Sequence, residues 1–311
     1  MLFLTTQPDS DYYIWQLQVQ INNFKKFGCE DKCIVIFGYN PVIGINPKAK
    51  EFQSQTTAKV LFYPDNRDLS TRLYLPSIRP HLLKQLYREN PEIILDQNFL
   101  YLDCDIIFAD YPDFSEINGE KFVHVSDTNE LFSYEDIAET NKELFFNMCK
   151  EVGIPPYTVE NYKNAIGGIT YAFKFFHYFD YDFWDKVERD SVALYKMMLV
   201  TNNEDSISQI MSVNKWALMW NLWLIGYDTK VSNELKVMWA MNSIEDWDDY
   251  NLYNNAGVEE QQSKYLFYKH DYTEKSPFGV DFSYVSDKHC SYKYVEELIS
   301  TGKALKALDN E

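Results

Sequence analysis

An α/β domain built on a mostly parallel sheet is predicted by three observations. Short apolar runs closed by turn residues recur through the first third of the chain. Segments with helical spacing separate them. One such run, "NFLYLDCDIIF" at residues 98–108, carries two carboxylates, Asp103 and Asp105, in its middle. Strand alternating with helix is the pattern of a parallel sheet covered on both faces.

The opening "MLFLTT" reads as a short buried strand. "YYIWQLQVQINNFKKFG" follows with apolar residues near helical spacing and ends at Gly28, a suitable helix stop. "KCIVIFGYN" and "AKVLFYPDNR" read as the second and third strands. "SIRPHLLKQLYREN" reads as a helix with Pro80 in its first turn. "NFLYLDCDIIF" is then the fourth strand, and "KFVHVS" a further one.

The second half is less regular. "NKELFFNMCKEVG" predicts a helix, with Gly153 just past its end. "IGGITYAFK" joins a glycine pair to a strand-like run. "SISQIMSVNKWALMWNLWLIG" predicts a long apolar helix from Ser206 to about Leu224. "SKYLFYKHDYTEKSPFG" reads as a strand followed by a polar loop, and a short helix from about Lys293 precedes an acidic tail.

The 311 residues suffice for one large α/β domain, and no repeat, low-complexity tract or linker divides them. One domain spanning 1–311 is the expectation. The formal charge of −18 argues against a large nucleic-acid footprint or an anionic membrane surface, both of which rely on clustered Lys and Arg. A local basic pocket for a small anion remains compatible with it. Five sparsely spaced cysteines, an odd number, argue against a disulfide framework, and Cys29 and Cys33 have no second pair with which to hold zinc. The N-terminal stretch lacks a basic segment and a long enough apolar run for a signal peptide, and no run approaches 18 apolar residues. A soluble cytoplasmic protein is therefore expected. The abundance of Ile, Asn, Tyr and Lys hints at an AT-rich viral or bacterial genome.

Asp103 and Asp105 pose the central chemical question. Desolvating an isolated carboxylate costs far more than one apolar contact returns. Residues i and i+2 of a strand share a face, so the two would project together at the strand's end, where open α/β sheets bind ligands. Two carboxylates held close repel unless a divalent cation or a proton lies between them. Oxygen ligands suit Mg²⁺ or Mn²⁺, ions that hold diphosphates and neutralise a departing phosphate. The bland alternative is one aspartate capping a turn and the other solvated.

At these residues the chain resembles a family. "FLYLDCDIIF" is similar to the D-x-D strand of GT-A fold glycosyltransferases, nearest the glycogenin and lipopolysaccharide galactosyltransferase type. "LTTQPDSDYYIWQLQVQINNFKKFG" is similar to that family's first strand, nucleotide loop and helix, and "YLPSIRPHLLKQL" to its helix before the D-x-D strand. "NAIGGITYAFK" resembles its N-(A/S)-G segment, and "HDYTEKSPF" its H-x-x-G-x-x-K-P-W loop. The resemblance spans about residues 1–280. It implies a GT-A, Rossmann-like, mixed and mostly parallel sheet with helices on both faces and an elaborated C-terminal half. Residues 1–125 would form the nucleotide-sugar-binding half, 126–292 the acceptor side, and 293–311 a closing helix and tail.

The resemblance implies roles residue by residue. Asp103 would approach the sugar and the metal, Asp105 would bind Mn²⁺ or Mg²⁺ directly, and His270 would be a further ligand. Lys275 would reach a donor phosphate, although Glu274 and Phe278 depart from the family's loop. Thr5, Thr6, Tyr12 and Tyr13 would surround the nucleotide, and Arg79 would be the helix's donor-facing cation, with Lys84 solvated. Asn164 and Gly168 would lie under the sugar. Glu204 and Asp205, at the predicted start of the long helix, would face the reacting carbon or cap the helix. Asp65 and Arg67 read as an exposed turn pair. Trp247 and Tyr250 offer an acceptor platform or an ordinary surface loop.

The function so implied is transfer of a sugar from a nucleotide diphosphate sugar, UDP-hexose first, to a hydroxyl acceptor, with a lean toward retention. A neutral glycan, a protein or a small molecule fits the acidity as acceptor, and a modified DNA base is a minor option. Two competitors remain. A haloacid-dehalogenase-type phosphatase also uses D-x-D after a strand, but wants Thr or Val where Ile107 stands and a motif nearer the N-terminus. An inactive relative that only binds a sugar or nucleotide would not need Asp103, Asp105 and His270.

Overall fold

The computed structural model describes residues 1–117, 122–127, 134–139, 141–174, 179–201, 210 and 212–308. Ten strands are named: β1 Leu2–Pro8, β2 Cys33–Tyr39, β3 Lys59–Pro64, β4 Asn98–Tyr101, β5 Ile106–Phe108, β6 Phe122–Asp127, β7 Gly167–Lys174, β8 Asp228–Val231, β9 Val237–Trp239 and β10 Leu252–Asn254. Seven form one sheet in the order β3-β2-β1-β4-β7-β6-β8. Within it β7 runs antiparallel to β4 and β6, and the other pairings are parallel. The mixed, mostly parallel α/β sheet expected from sequence is present.

The order matters for function. From β1 the chain builds outward to β2 and β3 on one side, then returns to place β4 on the other. The loops leaving the C-terminal ends of β1 and β4 therefore diverge and leave a crevice between them, as at the switch point of any open α/β sheet.

Side-chain alternation in β1 assigns each residue to a layer. Phe3 packs with Leu17, Phe24, Val35 and Leu100, beneath helix Asp11–Lys26. Leu4 packs on the other face with Leu82, Leu86, Phe99 and Tyr101, together with the fully buried Trp184, Trp216 and Trp220. Burying Leu82 and Leu86 completely contributes about 1.5–3 kcal/mol each. A third cluster joins Trp15, Val19, Ile107, Tyr253 and Phe267 to Tyr294 and Leu298 of the closing helix Ser291–Leu308. Local chemistry sets helix ends as expected. Asn141 caps helix Lys142–Val152 by accepting from Leu144 N–H, and Gly153 ends it at φ 82°. The five cysteines are buried thiols. Among the described residues no helix is long and apolar enough to cross a membrane.

Three expectations need correction here, and one helix is unforeseen. The fourth strand does not continue through the aspartates: β4 stops at Tyr101, and β5 belongs to a separate sheet ordered β5-β10-β9. "SKYLFY" forms no strand. Leu266 and Phe267 are buried, Phe267 in the third core, and the chain turns into a short 3-10 helix, Lys269–Tyr272. Helix Tyr181–Thr201 is not announced by its sequence, because Glu188 and Asp190 interrupt its buried face. Lys84 is not solvated: its Nζ lies 2.7 Å from Glu188 and 2.9 Å from Asp185 of that helix. The long apolar helix is seen as Val213–Leu224, and its predicted start lies outside the described residues.

Candidate active site

A cleft of about 740 Å³ opens at the switch point. The end of β1, the first turns of helix Asp11–Lys26 and the loop after β4 line it, together with the segments carrying Lys215, Asn254 and Lys269. Its floor is the loop Leu102–Asp105. Leu102 N–H still bonds Leu4 carbonyl at 3.1 Å, after which the chain leaves the sheet. Gln20 then clamps the loop, its Nε2 donating to the carbonyls of Asp103 at 2.7 Å and Ile106 at 2.9 Å. Asn255 N–H holds the Asp105 carbonyl at 3.1 Å from β10's end. A polar loop at a sheet edge keeps its backbone groups paired in this way.

Each carboxylate has a cation. Arg79 Nη1, at the start of helix Ile78–Glu89, lies 2.8 Å from Asp103 Oδ1. Lys269 Nζ donates to Asp105 Oδ2. Burial alone would lower the Lys269 pKa, but the Asp105 charge and hydrogen bond outweigh it and hold the ammonium above the ordinary lysine value. Lys215, also on the cleft, is brought down to about 8, mainly by burial and against the opposing pull of Asp103. Cys104, between the aspartates, is held as a thiol by burial.

The imidazole of His270 lies against Tyr12, ring centroids 6.0 Å apart and planes 17° apart. Burial, then the Lys269 charge, pushes His270 below its ordinary pKa, so the ring is neutral at pH 7. Burial raises the phenols of Tyr12 and Tyr13. Asn254 also lines the cleft, and its Oδ1 is buried with no hydrogen-bond partner. Among the described residues no three of His, Cys, Asp and Glu are drawn into a closed ligand set. The donor chemistry nevertheless suits a hard divalent cation: two carboxylates, a neutral imidazole and an orphaned amide oxygen face one cleft.

Of the residues singled out from sequence, Asp103, Asp105, Arg79, Tyr12, Tyr13 and His270 line this cleft together. Gly168 borders an adjoining cavity of about 20 Å³, also lined by Arg79 and Asp103. Thr5 and Thr6 lie inside the sheet. Thr5 Oγ1 donates to Gln20 Oε1 at 3.3 Å, so it supports the clamp, and Thr6 Oγ1 shares a 2.7 Å hydrogen bond with Tyr101 on the opposite face. Asn164 is exposed in a short turn away from the cleft lining. Lys275 is exposed, its Nζ 5.3 Å from the Tyr272 ring centroid. Glu204 and Asp205 lie outside the described residues. Trp247 packs near Tyr253, and Tyr250 lies under Lys236, neither of them on the cleft.

Arg67 is not an exposed turn residue. Its guanidinium is buried between Asp65 and Ser77 Oγ, at 2.9 and 2.7 Å, and ties down the segment that walls the cleft.

The sequence reading missed Lys215 and Lys269. A signal for the first existed: Lys215 is the sole charge in the apolar run "VNKWALMWNLWL". Lys269 adjoins His270 and had no pattern of its own.

No protein-family model and no curated protein matches the chain. Several solved structures do. One is described as an apo structure of the bifunctional glycosyltransferase WbbM, with TM-score 0.49 and 8% identity, covering 100% of this chain and 51% of that one. Another is the galactosyltransferase LgtC in complex with donor and acceptor sugar analogues, with TM-score 0.44 and 13% identity over 96% of each chain. A third is mouse xyloside xylosyltransferase 1 in its apo form, with TM-score 0.37 and 10% identity over 83% of this chain and 99% of that one. The chain spans about half the length of WbbM. Likeness of fold at such identities carries neither substrate nor mechanism with it.

Proposed function

We propose that the chain is a glycosyltransferase of GT-A type, moving a sugar from a nucleotide diphosphate sugar, UDP-hexose first, to a hydroxyl acceptor. One arrangement supports this reading above all. Two carboxylates and three cations, Arg79, Lys215 and Lys269, face a single cleft at the sheet's switch point, beside the paired rings of Tyr12 and Tyr13. That set suits a ligand with a flat base at one end and a diphosphate at the other.

In this reading Tyr12 and Tyr13 flank the base, since phenol rings stack on heterocycles while their hydroxyls stay protonated. Arg79 and Lys215 meet the diphosphate, Arg79 as a planar fork held in place by Asp103. Asp103, Asp105 and His270 would hold Mn²⁺ or Mg²⁺. When bound, that ion neutralises charge on the departing diphosphate. The backbone at Gly168, near Arg79 and Asp103, gives the sugar close access to the floor. Glu204 and Asp205 keep the role the resemblance implies for them, facing the reacting carbon of the sugar. The resemblance favours retention of anomeric configuration, and the −18 charge favours a neutral glycan, protein or small-molecule acceptor.

The test is a panel of nucleotide sugars with and without Mn²⁺, read as donor hydrolysis. Slow hydrolysis of one donor that needs the metal and disappears in Asp105→Asn is expected. Phosphate release from a simple phosphomonoester, with no nucleotide sugar consumed, would overturn the assignment.

A further inference from the structure

The neighbourhood of Asp105 holds an ammonium where the proposed function calls for a divalent ion. The Asp105 side chain is 7% exposed and the Lys269 side chain 18% exposed, so neither end of the pair is a solvent-screened surface contact. A buried carboxylate cannot stand unpaired. The turn that carries Lys269 is anchored from behind, Trp15 Nε1 donating to the Tyr272 carbonyl at 3.1 Å. Its next residue, His270, stacks on Tyr12. Asp105 is held on the other side through Asn255 N–H. Both partners are thus set by contacts independent of their own charges.

We infer that Lys269 is a tethered counter-ion that occupies Asp105 while the cleft is empty and competes with the divalent cation for it. The inference rests on the metal reading above. Lys269 serves as a positioning residue: it keeps the empty cleft charge-balanced and makes the metal site weak until the cation displaces the ammonium. A close ammonium repels a divalent ion strongly in a poorly solvated site. Removing it therefore tightens metal binding, the reverse of what loss of a merely structural ion pair does.

The experiment compares the full chain with Lys269→Met, Lys269→Arg and the double variant Lys269→Met/Asp105→Asn. Each is titrated with MnCl₂ alone, without nucleotide, and free Mn²⁺ is counted by electron paramagnetic resonance. Lys269→Met is expected to bind Mn²⁺ at least tenfold more tightly than the unaltered chain. Lys269→Arg is expected to stay near the unaltered chain, and the double variant to lose the gain. Thermal unfolding with and without Mn²⁺ gives a second readout, since a ligand that binds only the native state raises its melting temperature. The rise should be larger in Lys269→Met. If Lys269→Met unfolds without metal, Mn²⁺ should restore a cooperative transition, and failure to do so counts against the inference. Equal or weaker Mn²⁺ binding in Lys269→Met overturns the inference and leaves the metal reading standing. Absence of Mn²⁺ binding in every chain overturns both.

Discussion

Arg79 Nη1 lies 2.8 Å from Asp103 Oδ1, and each side chain is only about one-fifth exposed. This pair joins the start of helix Ile78–Glu89 to the floor of the cleft. It fixes the direction of the guanidinium before any ligand arrives. Asp103 raises the Arg79 pKa against the lowering effect of burial, so the charge is permanent.

Replacing Arg79 by Met leaves Asp103 without its cation. A hydrogen bond to a charged group contributes about 1.5–3 kcal/mol. Urea denaturation should show a loss of that size, and UDP affinity should fall more than tenfold. Adding Asp103→Asn should return part of the stability, because the stranded charge goes with it. Fully additive losses would mean that the two do not act as a pair.

Lys215 should make UDP binding pH-dependent. Its pKa of about 8 lies below the ordinary value of 10.5. Below pH 8 the folded chain carries the ammonium; as pH rises through 8 that charge is lost, so UDP affinity should decline between pH 7 and 9. Stability moves oppositely. Between about 8 and 10.5 the unfolded chain binds the proton that the folded one does not, so this group's contribution to stability rises with pH there. Calorimetry of UDP binding should show the decline, and Lys215→Met should flatten it. A decline of the same steepness in Lys215→Met would exclude Lys215 as its source.

Gly168 sits at φ +152°, where a Cβ would come within 2.3 Å of Tyr171 Oη. Gly168→Ala should lower stability by about 2 kcal/mol or more, combining strain with overpacking of a buried ring. Tyr171→Phe removes the nearest atom and leaves a 3.1 Å approach to Cζ, so the double variant should recover part of the loss. Gly226, at φ +78° with open space around it, is the control, and its alanine variant should lose about 1 kcal/mol. Equal losses at the two glycines would rule out the contact with Tyr171.

Arg67 should control the wall of the cleft rather than its chemistry. Breaking a buried ion pair costs about 3–5 kcal/mol when one partner is left behind. Arg67→Met should speed hydrogen exchange in residues 68–77 above that of the rest of the chain. Asp65, which burial would raise but Arg67 holds low, contributes stability that is lost as pH falls through its depressed pKa. The variant should therefore lose part of its acid sensitivity. Exchange that rises evenly over the whole chain would show a global effect instead.

Several residues that line the cleft could be singled out in advance, for reasons tied to each. Asp103 and Asp105 stood out because charge inside an apolar run is costly wherever the chain goes. Tyr12, Tyr13 and Arg79 are implied by the family resemblance of their segments, and the structure places them on the cleft. Thr5 and Thr6, expected around the nucleotide, lie buried in the sheet instead, because alternation says that they face opposite sides but not what covers each side. Lys84 looked solvated on its own helix, since its partners Asp185 and Glu188 belong to a helix whose apolar stripe those same charges obscure.

By itself, the sequence determined the class of sheet, the position of the acidic motif and its closeness to the sheet edge where the cleft opens. These depend on local periodicity and on desolvation, which act within a few neighbouring residues. Only the tertiary structure decided that the strand breaks at Tyr101, that Arg79 takes Asp103 and that Lys269 takes Asp105. Charges choose partners through space, and nearness in space is set by the path of the whole chain.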